Sequence, residues 1–252
     1  MGNLRKNVQS FWDINVCDYL KGVTFDERDS QRFMSYPYLL HELEIEKDEG
    51  KRVLEIGVGC GSDGCASIRL AKPALYVLLD ISTRTIEVAK EHLKIHCKLD
   101  DAYELVVGDA TVLMFKDGEF DRVKAIGSLH HIPNITDAIH EISRVLKVNG
   151  DFIFMLYNKD SFRYRFTYRR VARRRGRDID DLVFEVDGKG NPFSRVYSKN
   201  EIIQMCSLVG LRCIKFRTYE MLNDERRLLR ILAPFIERFF GWAIYIHGIK
   251  VS

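Results

Sequence analysis

No stretch of this 252-residue chain reaches the length of unbroken apolar residues that would span a bilayer. The opening MGNLRKNVQS lacks the apolar core of a secretory leader. Gly2 stands where a myristoylation site would begin, but Lys6 occupies the position that wants Ser or Thr. The six cysteines, Cys17, Cys60, Cys65, Cys97, Cys206 and Cys213, include no C-x-x-C pair, and no segment completes a zinc pattern. Scattered thiols in a chain this size are expected to be reduced, which suits a cytoplasmic protein. Neither sign of charge dominates. Lys and Arg number 39 and Asp and Glu 36, a net +3, so bulk charge does not point to nucleic acid. No internal repeat is evident. What is left is a globular composition, 46% hydrophobic and 30% charged, long enough for one large domain or two small ones.

What is present begins with KRVLEIGVGCGSDG, Lys51 to Gly64. Val53 to Ile56 is a short apolar run that reads as a buried strand. Gly57, Gly59 and Gly61 follow at alternate positions, and a helical pattern runs from Ser62 to Ala71. Strand, glycine turn and helix start together form a cradle in which a ligand can approach the main chain without meeting a Cβ. The spacing is not the G-x-G-x-x-G of dinucleotide folds, because Ser62 stands where the third glycine would be. Glu55 just before the turn is unusual for a buried strand end and needs a partner. Asp80 closes the run Tyr76 to Leu79, one βα unit on, where an acid can hold both hydroxyls of a ribose. Asp109 ends the next strand, where a carboxylate can accept from an exocyclic amine. Each acid alone reads as a helix cap or a solvated turn. Three at successive strand ends beside this turn favour a nucleoside cofactor.

From Lys51 onward strand and helix patterns alternate. Strands are expected at 52–56, 75–79, 103–107, 121–126, 151–157, 211–219 and 242–251. Helices are expected at 62–71, 83–97, 135–147 and 199–208, and Asn149-Gly150 reads as a turn before the fifth strand. Apolar, β-branched strands with short connections imply α/β architecture, a mainly parallel sheet with helices on both faces. Residues 1–50 are amphipathic and aromatic. They read as an N-terminal helical lid, with Trp12 and Tyr36 reaching the cofactor, and residues 51–252 form the main domain. Two insertions interrupt it, at about 159–196 and 221–240. The first crowds Arg163, Arg165, Arg169, Arg170, Arg173, Arg174, Arg175 and Arg177 among aromatics. The second reads as an amphipathic helix carrying Arg226, Arg227 and Arg230.

VLEIGVGCGSDG, LLDIS, GDATVLMFKDGEFDRVKAIGSLHHIPN and ISRVLKVNGDFIFML resemble, in order and at the right intervals, the motifs of class I S-adenosylmethionine-dependent methyltransferases. The similarity is to the small-molecule group that includes the ubiquinone and menaquinone methyltransferases, and it covers residues 50–157. It implies a Rossmann-like, seven-stranded sheet whose last strand is antiparallel. It also implies S-adenosyl-L-methionine as cofactor and S-adenosyl-L-homocysteine as product. By the resemblance, Glu55, Gly57, Gly59 and Gly61 form the methionine-side cradle. Asp80 takes the ribose hydroxyls, Ile81 packs on the adenine, and Asp109 and Ala110 meet its edge. Gly127, Ser128 and Leu129 lie beside the methyl group. LLD replaces the family's frequent glycine-containing GVD, a change of local packing. The segments FWDINVCDY, LYNKDSFRYRF, KGNPFSRVYS and GWAIYIHGIKV resemble a bacterial and archaeal subgroup without an assigned substrate.

Methyl transfer from a sulfonium needs alignment and desolvation, and a base only if the acceptor must lose a proton. His130 and His131 are the candidate bases, His130 the weaker, against a role in ordering the loop before the next helix. The acceptor pocket is expected around Tyr157, Asn158, Arg163 and Tyr197. The arginine segment reads either as a solvated face or as a grip for an anionic or lipid-like acceptor, and a membrane surface is a further partner it would fit. An RNA methyltransferase is a competing reading, disfavoured by the absence of an RNA-binding motif and of an N-P-P-Y-like tetrad after the fourth strand. A non-catalytic S-adenosylmethionine-binding regulatory protein is the other. No metal site is expected.

Overall fold

A computed structural model describes residues 2–16, 24–97, 102–220 and 239–252. Its centre is a mixed sheet. The strands are β1 (Arg52–Ile56), β2 (Leu75–Asp80), β3 (Tyr103–Val107), β4 (Phe120–Ile126), β5 (Leu146–Asn158), β6 (Val196–Tyr197), β7 (Leu211–Tyr219) and β8 (Ala243–Lys250). Their order is β3-β2-β1-β4-β5-β8-β7, with β6 paired to the end of β5. β1 to β5 are mutually parallel, and β8 lies antiparallel between β5 and β7. The central strands are near-continuous apolar runs because helices cover both faces.

The chain leaves β1 towards β2 and β3, then crosses back to β4 on the other side. Loops after β1 and β4 therefore diverge and open a crevice at the carboxyl ends of the strands. Four helices flank the sheet: α4 (Ser62–Ala71), α5 (Thr83–His96), α6 (Ile135–Val145) and α9 (Lys199–Ser207). Gly61, with φ of 84°, turns the chain into α4, and Ser82 caps α5 by accepting from the Thr85 amide. The main core joins the inner strand residues to α6 and includes Leu54, Val123, Phe154 and Ile142.

Before β1 lie α1 (Gly2–Ile14), α2 (Phe25–Ser35) and α3 (Leu39–Leu43). A capping box on Thr24 and Glu27 starts α2. α1 packs on α5, and α2 packs on α4. Between β5 and β6 come a π-helical segment, Arg163–Tyr168, then α7 (Arg169–Arg175) and α8 (Ile179–Phe184). Tyr164, Val183, Val196 and Trp242 pack this segment over the end of β5.

Two expectations are corrected in detail. The sheet has eight strands, because the two residues of β6 pair with Tyr157 and Asn158. β5 starts at Leu146 directly after α6. Asn149-Gly150 then sits in a bulge within the strand: Leu146 faces Phe120 and Asp151 faces Arg122, with Asn149 at φ of 65°. The amphipathic helix expected over 221–240 lies almost wholly outside the described residues.

Candidate active site

The crevice deepens into a cavity of about 1000 Å³. At one end is the glycine turn. Gly57 and Gly59 have φ of 81° and 56° and line the cavity. A Cβ on Gly57 would come within 2.2 Å of the Ser128 Cβ, so only glycine lets this turn lie against the β4 loop. Gly127 has φ of 78° and nothing within 4 Å of where its Cβ would be, so its main chain is open to a ligand. Gly61 does not line the cavity. Its absent side chain lets the turn approach α5, where a Cβ would meet Ala89 at 3.3 Å.

Glu55 lies at the cavity floor, buried, accepting from the Tyr76 hydroxyl at 2.9 Å. Burial, then the neighbouring Asp63 carboxylate, pushes its pKa up to about 8. Asp63 is gripped by the Arg32 guanidinium from α2, Nε to Oδ1 and one terminal nitrogen to Oδ2, each 2.5 Å. Asp80 accepts from the amides of Val58 at 3.0 Å and Ser82 at 2.9 Å, which ties the glycine turn to the end of β2. Burial raises its pKa to about 6 against the pull of those amides. Ile81, Asp109 and Ala110 line the wall beyond it. Helix α1 closes over this half. Gln9 donates to the Ile81 carbonyl at 3.1 Å, Asp13 accepts from the Ser82 hydroxyl at 2.7 Å, and Arg5 pairs with Asp109.

The other half is walled by rings. Tyr157 stacks on His130 with centroids 3.8 Å apart and on Trp242 at 4.6 Å. The Arg163 guanidinium lies over Trp242 at 5.2 Å and over Tyr168 at 5.5 Å. Met155, Tyr36 and Tyr245 complete this wall. The Tyr157 hydroxyl donates to Asp187 Oδ1 at 2.6 Å. Burial and the Asp187 charge push the Tyr157 pKa well above its ordinary value, so it remains a phenol. His131 lies at the junction of the halves. Trp12 of α1 meets it edge-on at 5.0 Å, and its Nδ1 lies 3.1 Å from the Phe193 carbonyl and 2.8 Å from the Ser194 hydroxyl.

A family model described as a methyltransferase domain matches residues 54–154. The ubiquinone biosynthesis O-methyltransferase of Alkalilimnicola ehrlichii is 30% identical over 187 residues, 71% of this chain and 69% of that one. The chain belongs to the S-adenosylmethionine-dependent methyltransferases. The fatty-acid O-methyltransferase of Mycolicibacterium smegmatis is 34% identical over 134 residues, which cover 53% of this chain. The match spans about half of that relative's length, 47%. Among solved structures, the magnesium protoporphyrin IX methyltransferase of Synechocystis with bound SAH aligns over 98% of this chain and 99% of its own. Its TM-score is 0.65 at 13% identity, a likeness of fold.

S-adenosylmethionine is the cofactor of this family, and the residues present fit it. The Gly57 turn has no room for a Cβ, Gly127 opens onto the cavity, and carboxylates stand at three successive strand ends. Of the residues singled out from sequence, this methyltransferase brings to one cavity Trp12, Tyr36, Glu55, Gly57, Gly59, Asp80, Ile81, Asp109, Ala110, Gly127, His131, Tyr157 and Arg163. Five stand outside its lining. Gly61 serves helix packing. Leu129 is wholly buried in the main core. His130 is buried between Tyr157 and His131, and burial pushes its pKa well below the ordinary value. Asn158 donates to the Gly241 carbonyl and accepts from the Asp160 amide, so it holds a turn. Tyr197 belongs to the core, because its pairing with Asn158 in β6 turns it into the sheet.

The arginine segment divides in two. Arg163 alone of its eight faces the cavity. Arg169, Arg170, Arg173, Arg174 and Arg175 are exposed, Arg165 pairs with Asp160, and Arg177 pairs with Glu185. Sequence reasoning missed Arg32, Asp63, Asp187 and Trp242. For Arg32, Asp187 and Trp242 the signal is tertiary, since each is carried to the cavity from a distant element. Only Asp63, eight residues after Glu55 at the start of α4, had a local cue.

Proposed function

We propose that this methyltransferase transfers the methyl group of S-adenosylmethionine to a small, largely apolar acceptor. The observation that supports it is the single cavity with two unlike ends, a glycine-and-carboxylate cradle and an aromatic wall, meeting at Gly127 and His131. A volume of about 1000 Å³ is at the upper end of small-molecule sites and has room for two molecules side by side.

When bound, the donor supplies an activated methyl group on a sulfonium. In this reading Glu55 and Asp63 draw its ammonium group, and Gly57 and Gly59 admit its methionine part to the main chain. Asp80 accepts from the ribose hydroxyls, while Ile81, Asp109 and Ala110 hold the adenine. Trp12 and Tyr36, from the helices that act as a lid, exclude water. Tyr157, Trp242 and Met155 align the acceptor, and Arg163 meets its polar end. Confinement and orientation account for most of the rate in such a displacement.

The relatives support an acceptor of small-molecule type, as their names refer to a fatty acid and to ubiquinone biosynthesis. The test is incubation of the enzyme with methyl-labelled donor and either total RNA or the small-molecule extract of the same cells. Label should enter an organic-soluble, nuclease-resistant product. Label confined to nuclease-sensitive, high-mass material would overturn the proposal.

A further inference from the structure

Behind the glycine turn, outside the cavity, three helices bring a carboxylate, an imidazole and two thiols together. Asp29 comes from α2, Cys65 from α4 and His92 from α5, and one ligand atom of each lies within 4.8 Å of the others. Cys97, at the C-terminal cap of α5, places its sulfur 3.9 Å from that of Cys65. His92 is wholly buried. A carbonyl oxygen can only accept, so Nδ1, 2.7 Å from the Cys60 carbonyl, carries a proton. Nε2 is aimed at Asp29, 3.1 Å from Oδ2. A second ring proton accounts for that contact. It does not account for Asp29 Oδ1, which is buried and makes no hydrogen bond, or for the two sulfurs set side by side within reach of it.

The separations fit a metal ion. Zinc takes sulfur at about 2.3 Å and nitrogen or oxygen at about 2.0–2.2 Å. Two sulfurs on one tetrahedral zinc are then about 3.8 Å apart, and a nitrogen and an oxygen about 3.4 Å apart. The corresponding distances here are 3.9 and 3.1 Å. A bond from Nδ1–H to a carbonyl is the outer contact that fixes the tautomer of a ligating histidine and leaves Nε2 for the metal. Sulfur, nitrogen and oxygen donors together suit zinc, whereas magnesium and calcium take oxygen. Asp29 is 21% exposed and Cys97 half-buried, so an ion has a way in from solvent.

We propose that Asp29, His92, Cys65 and Cys97 bind a structural zinc ion. The site is separate from methyl transfer and stands whether or not that reading holds. Without metal, the proton between Nε2 and Asp29 holds the pair together. Zinc takes the place of that proton, and the two thiol protons also leave to solvent, so both sulfurs bind as thiolates. Four protein ligands leave no open position for a substrate, which marks a structural site. The ion fastens α2 to α4 and α5 behind the turn that carries Cys60. No local spacing announces it, because the ligands come from three helices and only His92 and Cys97 are close in sequence.

The test uses the full-length chain, freed of metal by a chelator under reductant and titrated with cobalt(II), then with zinc. One equivalent of cobalt should give the strong visible bands of a tetrahedral ion and a near-ultraviolet sulfur-to-cobalt charge-transfer band, and zinc should erase both. Cys65→Ser and Cys97→Ser should each weaken the charge-transfer band. Each should lower zinc affinity by at least the roughly 10–100-fold that loss of an outer partner costs. Cys206→Ser, in the thiol pair with Cys213, should change neither. His131→Gln should change neither, which separates this site from the sulfur-free cluster of His130, His131 and Asp187. In the unsubstituted protein, zinc should slow amide exchange in residues 25–35 on the order of 10-fold, a readout that needs no variant to fold. A six-coordinate cobalt spectrum without the sulfur band, a band that survives in both cysteine variants, or exchange in α2 indifferent to zinc would overturn the proposal. So would a Cys65–Cys97 disulfide that forms as readily with zinc as without it, which would assign the thiols to redox chemistry.

Discussion

Glu55 is a carboxylate with little access to water, 3% exposed at the cavity floor and answered by one phenol hydroxyl. Gly64 makes the space, since a Cβ there would sit 2.9 Å from Glu55 Oε2 and 2.7 Å from Leu78. With its pKa pushed up to about 8, Glu55 in the empty enzyme holds a proton at pH 7. The sign of the stability effect follows. The unfolded chain loses this proton near 4.5, and the folded protein keeps it until about 8. Folded protein binds more protons across that window, so Glu55 makes stability fall as pH rises from 4.5 to 8, and the penalty is then constant. Glu55→Gln keeps an acceptor for Tyr76 and removes the charge. It should match the wild type at pH 4 and exceed it at pH 8.5 by at least about 1.4 kcal/mol, the worth of one pK unit. Urea unfolding at the two pH values reads this directly. A variant no more stable at pH 8.5 would show that the carboxylate is not strained. A cationic ammonium beside Glu55 would reverse its preference, so the same substitution should weaken donor binding most at high pH.

At the scale of elements, helix α2 is held by charge and ring contacts more than by apolar burial. α2 has no fully buried residue, yet polar and ring contacts tie it to α4 and α5. Arg32 grips Asp63, and Asp29 lies 3.1 Å from His92 Nε2 on α5, whose Nδ1 donates to the Cys60 carbonyl in the glycine turn. Phe25 stacks flat on the His92 ring at 4.7 Å. Burial opposes charging His92, but Asp29, Cys65 and the Cys60 carbonyl outweigh it and raise its pKa to about 10. This raised value stabilises the docked helix fully below pH 6.5, and the contribution is lost as pH rises through about 10. Breaking one partner of a wholly buried pair costs about 3–5 kcal/mol. Asp29 is 21% exposed, so a smaller loss applies. Asp29→Asn should speed amide exchange in residues 25–35 on the order of 10-fold, about 1.4 kcal/mol, and leave β1 and β4 unchanged. Unchanged exchange in α2 would mean that Arg32 alone holds it.

The same contrast explains what the chain's pattern disclosed. β1, β2, β3 and α4 were legible to within a residue, because apolar runs ended by glycine or acid are local signals. The cradle residues sit on those ends and came with them. Trp242, Asp187 and the Asp29–His92 pair were not legible. They depend on β8 threading between β5 and β7 and on contacts across 30 to 63 residues, which leave no periodic trace. Tyr197 was misplaced for a related reason, since a two-residue strand has no alternation to say which side faces the core.

Considered whole, the molecule builds this cavity from three segments: the N-terminal helices, the sheet ends and the 159–195 segment. A ligand that touches all three binds only the folded form and must raise its stability. At donor concentrations near 100 times the dissociation constant the gain is about 2.7 kcal/mol. For a domain of this size that corresponds to a rise in Tm of roughly 5–10 °C. Asp80 should govern its pH dependence. Its pKa is raised to about 6, and only the carboxylate can accept from two hydroxyls at once, so the donor-induced rise should shrink as pH falls through 6. Asp80→Asn retains one acceptor for the Val58 or Ser82 amide and should lose most of the rise at every pH. Thermal melts of both proteins with S-adenosylhomocysteine, from pH 5 to 8, supply the measurement. An equal rise in the variant, or one independent of pH, would remove Asp80 from the donor site and move the nucleoside end of the ligand towards Asp109.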